Sequence, residues 1–476
     1  MNPEFDVVVI GGGSAGLVVA AGGSTLGAKV ALVERARLGG DCLWYGCVPS
    51  KTLIKSARVA YEMRNATRWA LSPADPQPQI ARVMERVRDV IMQIQPSDSP
   101  ERFRGLGVDV IEAEGKFVSP HAFEAGGRTL TAKTFVIATG SRPAVPDVPG
   151  LNAVAYLTNE TVFDLREAVP SLIVVGSGPI GSELAQAFRR LGSEVTVLDI
   201  APRLLPREDP DVAQVVHAQF VAEGIGFRFD ATLERVEGRS GDIACTVRHR
   251  DGREETVRAT HLLLATGRKL NVEQLGLDAA GVAVQDGRIR VDDRLRTSQP
   301  HIYVAGDVAG GPQFTHLAEH HAGIVLRHAI FRLSWARPST VLPWCTYTDP
   351  EVARVGLSET EAVQRGIAHR VYRFPFEEID RARAEGEVEG FAKLVTDPKG
   401  KILGAAIVGA HAGELIAEIT LAMSQGLSAK HVSAAIHTYP TLASISRRVA
   451  DQRLKEGLTP AARTWIKRIF RLRGAA

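Results

Sequence analysis

Cysteine is scarce in this chain, four in 476 residues, which excludes the disulfide framework of a small secreted scaffold. Long apolar runs are missing too. No stretch of 18 apolar residues occurs, so no membrane-spanning helix is expected. An excess of one charge is also absent: 57 Lys and Arg against 54 Asp and Glu leave a formal charge of +3, and no long basic block stands outside the C-terminal residues. Nucleic acid is therefore not an expected partner. A strand-like run begins at Phe5, which leaves no room for a cleavable leader, and a cytoplasmic location is the expectation.

Glycine, in contrast, is abundant: 45 residues, above the usual share of about 7%. Such a surplus asks for tight turns and close backbone approaches. With 45% apolar and 23% charged residues over this length, about three soluble domains can each bury a core.

Two segments use their glycines alike. Phe5–Ile10 reads as a buried strand running into Gly11-Gly-Gly13-Ser14-Ala-Gly16, then a helix through Leu26. A second strand, Val30 to Val33, ends on Glu34. Leu172 to Val175 runs into Gly176-Ser-Gly178-Pro-Ile180-Gly181, a helix to Leu191, and a strand, Val195 to Leu198, ending on Asp199. In both copies the last glycine precedes the acidic residue by 18 positions, 16 to 34 and 181 to 199. That is the dinucleotide fingerprint: glycines admit a pyrophosphate at a helix N-terminus, and the carboxylate takes a ribose hydroxyl. Each copy closes on a strand and an Ala-Thr-Gly turn, at Thr139-Gly140 and at Thr266-Gly267. The expected fold is therefore α/β, with two Rossmann-like domains and two bound dinucleotides.

The first copy spans 129 residues between its opening and closing glycines, 11 to 140, against 91 in the second, 176 to 267. Its extra length carries Cys42 and Cys47 and helical stretches at Pro49 to Met63 and Ile80 to Ile94. In one regular helix such a pair would stand about 8–9 Å apart at Cα, beyond disulfide reach, so the chain must bend between them. Gly46 permits the bend, and Pro49 suits a first helical turn, which leaves Cys47 near a helix N-terminus that favours a thiolate. A zinc half-site is the competing reading, but no second Cys/His pair has ligand spacing, and no metal centre is expected. Cys245 and Cys345 are read as structural thiols.

The run from Gly39 through Asp41, Cys42 and Cys47 to Lys51 closely resembles the pyridine nucleotide-disulfide oxidoreductases, the family of dihydrolipoamide dehydrogenase, glutathione reductase and mercuric reductase. The resemblance covers nearly the whole chain. It implies FAD in the first domain, and NADH or NADPH in the second. It implies Cys47 as the charge-transfer thiolate beside the flavin, Cys42 as the interchange thiol, and Lys51 with Glu183 as an ion pair near the flavin. Thr297 to Asp307 matches the segment whose aspartate binds the FAD ribityl chain, and Phe314, Thr315 and Ala318 would begin a helix under the ring. Gly40, Asp41 and Gly115 complete the implied FAD contacts. Pro179 stands where some relatives carry a gating tyrosine. Asp199, followed by Ile200 and Ala201, favours NADH, because a carboxylate repels a 2′-phosphate; Arg203 and Arg207 weaken that preference.

The implied layout is an FAD domain over residues 1–150, a nicotinamide nucleotide domain over 151–271, a return to the FAD domain over 272–339, a homodimerisation domain over 340–455 and a basic amphipathic tail over 456–476. The dimerisation domain of relatives supplies an acid-base histidine with a glutamate to the partner subunit. Here Tyr439 and Ser444 hold those positions, with His437 two residues upstream of the tyrosine as a candidate substitute. A tyrosine of ordinary pKa is a poor proton donor at neutral pH. Mercuric reductases also lack the dyad but carry a vicinal cysteine pair near the C-terminus, and no cysteine follows 345 here. The expected acceptor is thus a metal ion, a quinone or a small disulfide. A redox or nucleotide sensor with slow turnover is the alternative function. In the tail, Trp465, Ile469 and Leu472 are expected on one helical face among basic residues, either packed on the dimer or against a membrane.

Overall fold

The structure, a computed structural model, describes residues 3–333 and 335–474. Residues 475 and 476 of the expected tail, residues 1 and 2 of the expected first domain, and residue 334 lie outside the described residues.

The first sheet has seven strands. Its parallel part runs Asp109–Glu112, Val30–Glu34, Phe5–Ile10, Arg128–Ile137 and Ile302–Val304, and Ala122–Ala125 and Gly115–Ser119 extend it antiparallel. Val8 pairs Ala31 on one side and Phe135 on the other. A central parallel strand is covered on both faces, and Val7, Val8 and Val9 are accordingly all buried. The return of residues 302–304 to this sheet brings Asp307 back beside the first glycine turn.

The second unit repeats the plan with Gly226–Arg228, Glu194–Leu198, Ser171–Val175 and His261–Leu264, all parallel. A three-stranded antiparallel meander over 231–259 buries Cys245. A short ribbon, Ser141–Pro143 against Arg268–Leu270, joins the two units immediately after their matching Ala-Thr-Gly turns. From Pro343 a five-stranded antiparallel sheet follows, backed by helices Ala412–Ser424 and Ser444–Glu456. The observed class is α/β with two Rossmann-like units and a C-terminal α+β unit.

The cysteine segment bends as its spacing requires. A short helix, Gly40–Trp44, gives way at Tyr45 and Gly46, and a second helix, Cys47–Arg64, starts on the second cysteine, two residues earlier than the Pro49 start expected. A side chain at 46 would place Cβ 3.0 Å from the Asp41 carbonyl oxygen, so glycine allows this reversal. The long helix packs between the Ile80–Ile94 and Pro179–Arg190 helices. Ile80, Met84, Val87 and Ile91 form the buried stripe of the former.

An ion network locks this helix to the other units. Arg58 Nη2 meets Asp349 Oδ1 at 2.8 Å, Arg190 Nη1 meets Asp349 Oδ2 at 2.7 Å, and Arg190 Nη2 meets Glu223 Oε1 at 2.6 Å. Burial works against the Asp349 charge, yet the two arginines hold its carboxyl below the ordinary range. All three units are therefore tied at one point behind the cysteine helix.

The tail differs from the sequence expectation in one respect. Its helix, Pro460–Ile469, ends before Leu472: Phe470 closes on Ile466, and Arg471 takes a left-handed φ of 53°. Leu472 thus follows the helical face instead of continuing it.

Candidate redox active site

The two glycine turns superpose in their chemistry. At Gly11, φ is +108°, and a Cβ would stand 2.4 Å from the Ala138 carbonyl oxygen; at Gly176, φ is +110°, and a Cβ would stand 2.3 Å from that of Ala265. At Gly16 and Gly181 the added carbon would fall 1.9 Å from the carbonyl oxygen of Gly11 and Gly176 respectively. No other residue type fits these four positions. Glu34 accepts the Gly12 N–H at 2.6 Å and the Ala36 N–H at 2.8 Å; Asp199 accepts the Ser177 and Ala201 N–H groups at 2.5 and 2.8 Å. The carboxylates therefore stand at the mouths of both turns.

The first unit fits FAD on its own geometry. Gly13 and Ser14 open the Ser14–Thr25 helix, and only the Gly40 Cα comes within 4 Å of where a Gly13 side chain would begin. That bare helix N-terminus is a cradle for a pyrophosphate. Gly115 lies three residues past Glu112, which pairs with Glu34 across the sheet. Thr139 donates its hydroxyl to the Asn271 carbonyl at 2.7 Å, leaving Gly140, with φ +68°, open beside it. Asp307 accepts the Ser141 hydroxyl at 2.6 Å, and burial raises its pKa above the ordinary carboxylate value. In the second unit Gly178 and Gly267 face open space, and Ile180 is partly exposed at the start of its helix.

Cys42 and Cys47 are free thiols, the first half-buried and the second open. Cys47 sits at the first position of its 18-residue helix, with Sγ 3.4 Å from the Thr315 hydroxyl. A hydrogen bond from the Cys42 thiol, then the Thr315 hydroxyl and the Lys51 charge, hold Cys47 at about 6, well below an ordinary thiol. The same bond and burial push Cys42 up. At neutral pH the pair is one thiolate and one thiol.

Lys51, one turn further, places Nζ 2.8 Å from Glu183 Oε2. Burial works against the lysine charge, but Glu183 raises its pKa above the ordinary value. The opposite carboxylate oxygen accepts the Tyr347 N–H at 2.9 Å, and the Tyr347 ring lies 4.4 Å from Nζ. Phe314 precedes the Thr315–Ala329 helix and stacks on Trp344 at 6.1 Å, while Ala318 packs at the Gly306 turn.

Sequence reasoning missed Arg268 and Tyr347. Arg268 lies 3.1 Å from Asp41 Oδ1, donates to Ser141 and stands 3.9 Å from Asp307 Oδ2. Its place directly after the second Ala-Thr-Gly turn was a signal available in the chain. Tyr347 has no such local signature.

Tyr439 and His437 are not brought to the cysteines within one chain. Tyr439 is 74% exposed and donates to Asp380 at 3.2 Å; Ser444 donates to the Thr441 carbonyl. His437 Nε2 lies 2.9 Å from Glu418 Oε1. Neighbouring Ile436 is 98% exposed in the single chain. Among the described residues no cluster of metal-ligating side chains occurs, and no helix is long and apolar enough to cross a membrane.

Comparison with known proteins matches residues 5–322 to the pyridine nucleotide-disulphide oxidoreductases and residues 342–449 to their dimerisation domain. A mercuric reductase of Bacillus cereus is 36% identical over 99% of this chain and 73% of its own length. A dihydrolipoyl dehydrogenase of Chlamydia muridarum is 35% identical over 94% of this chain and 96% of its own length. Among solved structures, the Cu(II) complex of the HOCl-induced flavoprotein disulfide reductase RclA from Escherichia coli covers 95% of this chain and 100% of its own, at 27% identity and a TM-score of 0.84.

Proposed function

The chain belongs to the pyridine nucleotide-disulphide oxidoreductase family, and from that premise we propose that it passes two electrons from NADH through Cys42 and Cys47 to an acceptor whose reduction needs no proton delivered to a leaving thiolate. The family is FAD-dependent and draws on NAD(P)H, and its dimerisation domain supports a homodimer. A thiophilic metal ion is the favoured acceptor and a quinone the next. Bound in the first unit, FAD would supply the two-electron chemistry that links the nicotinamide to the cysteine pair.

The remaining work falls to the protein's own groups. Gly11, Gly13, Ser14 and Gly16 would cradle the FAD pyrophosphate, Glu34 would take its ribose, and Asp307 with Gly40 and Asp41 would hold the rest of the cofactor. Gly176, Gly178, Gly181 and Asp199 would do the same for the nicotinamide nucleotide. Lys51, charged by Glu183, stabilises negative charge beside Cys47. The Cys47 thiolate and Cys42 thiol then give up two electrons and one proton and close as a disulfide. One divalent ion taking two electrons, or two ions taking one each, balances the step, and the proton leaves to solvent.

The observation that carries this reading of the acceptor is the pairing of Tyr439 with Asp380 and of Ser444 with a backbone carbonyl, where relatives place a histidine and a glutamate. An organic disulfide needs an acid for its leaving thiolate; a metal ion needs thiolate ligands. The mercuric reductase relatives and the Cu(II) complex of the structural neighbour agree with this choice. A second reading has support in the His437–Glu418 pair, which could serve disulfide substrates as an alternative dyad. Anaerobic reduction with NADH, followed by Hg(II), Cu(II), a quinone, glutathione disulfide and lipoamide, tests the choice. Faster reoxidation by the metals or quinone is expected; robust disulfide turnover that collapses in His437→Ala would favour the second reading.

A further inference from the structure

The helix Pro460–Ile469 is firmly begun and buries none of its side chains. The Thr459 hydroxyl caps it by accepting the Ala462 N–H at 3.1 Å, and Pro460 occupies its first turn. Trp465 is 66% and Ile469 64% exposed, and Phe470 and Leu472 beyond the helix end are as open. Among the described residues, no hydrogen bond or ion pair joins residues 459–474 to the rest of the chain.

Its two faces are chemically distinct. Ala462, Trp465, Ile466 and Ile469 follow one another at the spacing of a single helical face, and Arg463, Lys467 and Arg468 hold the other. Arg471 and Arg473 follow, and no acidic residue occurs after Glu456. The charge is local: 57 Lys and Arg less these five leave 52 against 54 Asp and Glu in the remainder of the chain. The body therefore offers no strongly acidic ground for these cations.

We propose that the Pro460–Ile469 helix is a peripheral anchor that lies flat on an anionic lipid surface, with Trp465, Ile466 and Ile469 among the acyl chains and the cations at the headgroups. Ten residues span about 15 Å as a helix, half a bilayer core, so the element lies in the interface and does not cross it. Charge complementarity favours lipid over a second copy of the chain. A self-interface related by a twofold axis would bring like charges together, and charged residues are depleted at interface cores. An anionic leaflet attracts each cation individually.

The test uses the full-length flavin-loaded enzyme in co-sedimentation with phosphatidylcholine vesicles, with or without phosphatidylglycerol, and light scattering for oligomeric state. Pelleting is expected only with the anionic vesicles, falling at least tenfold at high salt and in both Lys467→Gln/Arg468→Gln and Trp465→Ser/Ile469→Ser. NADH turnover with a soluble dye should stay unchanged in both variants, because none of the helix's residues is buried and none belongs to the redox site, and this reports intact folding. Equal pelleting with both vesicle types, or none with either, overturns the proposal. A smaller oligomer in Trp465→Ser/Ile469→Ser without lipid binding by the parent protein overturns it in favour of contact between copies.

Discussion

Lys51 and Glu183 meet at 2.8 Å although 132 positions separate them, one on the cysteine helix and the other on the helix of the second glycine turn. Tyr347 fixes both: its N–H holds the carboxylate and its ring faces the ammonium. A third unit thereby sets the pair's geometry, and a cation facing a ring adds about 0.5–1 kcal/mol. Glu183→Gln leaves the lysine unpositioned and should slow reduction by NADH about 10²-fold, with reoxidation by the acceptor unaffected. Anaerobic stopped-flow separates the two half-reactions. Tyr347→Phe keeps ring and N–H and should behave as the parent.

The titration of Cys47 gives a pH signature. Its pKa in the folded protein is about 6 against an ordinary 9.0, so the thiolate contributes stability that is full above pH 9 and is lost as pH falls through 6. In the two-electron-reduced holoenzyme, the long-wavelength thiolate-to-flavin absorption should therefore persist at pH 7 and fade with a midpoint near 6. Cys42→Ala removes the largest cause of the lowering and should move the midpoint up, whereas Cys42→Ser retains a donor. Cys47→Ser should abolish the band. A parent midpoint near 9 would count against the assigned roles.

Restoring the missing dyad should restore disulfide chemistry. Tyr439→His with Ser444→Glu places an imidazole and a carboxylate where relatives hold them. Lipoamide or glutathione-disulfide turnover should rise by about 10²-fold or more, with metal-ion turnover little changed. No rise in a folded, flavin-loaded double variant would refute the substrate argument.

Coenzyme choice should favour NADH. Asp199 is fixed by Ser177 and Ala201, while Arg203 Nη2 is engaged by the carbonyls of Pro206 and Glu208 and is not turned toward the ribose site. Asp199→Ala should cost NADH about 10- to 100-fold in kcat/KM, the worth of a hydrogen bond to a charged group, and narrow the gap to NADPH. A parent enzyme with higher kcat/KM for NADPH would reverse the assignment.

The Arg190 network supplies a stability test. Arg190 and Glu223 are both 4% exposed, and Arg190→Met leaves Glu223 buried without its charge partner. A loss of about 3–5 kcal/mol is expected in urea unfolding.

The duplicated glycine turns, their closing carboxylates and the cysteine pair were legible in the sequence, because their constraints are local. A Cβ at Gly16 or Gly181 collides with a carbonyl five residues back in the same turn, so the requirement is written into a short window. The tail helix was legible by the same periodicity, but its end was not: Leu472 fell outside because Arg471 turns left-handed, a backbone choice that no spacing announces. What tertiary structure decided was convergence. Thr315 reaches Cys47 across 268 positions, and Arg268 meets Asp41 and Asp307 from a third direction. Tyr347 arrives from the dimerisation sheet to hold the Lys51–Glu183 pair. The acidity of Cys47 is a sum over Cys42, Thr315 and Lys51, groups from three separate helices, Gly40–Trp44, Thr315–Ala329 and Cys47–Arg64. Electrostatic energies fall off with distance in space, not along the chain, so only the folded arrangement could assign them.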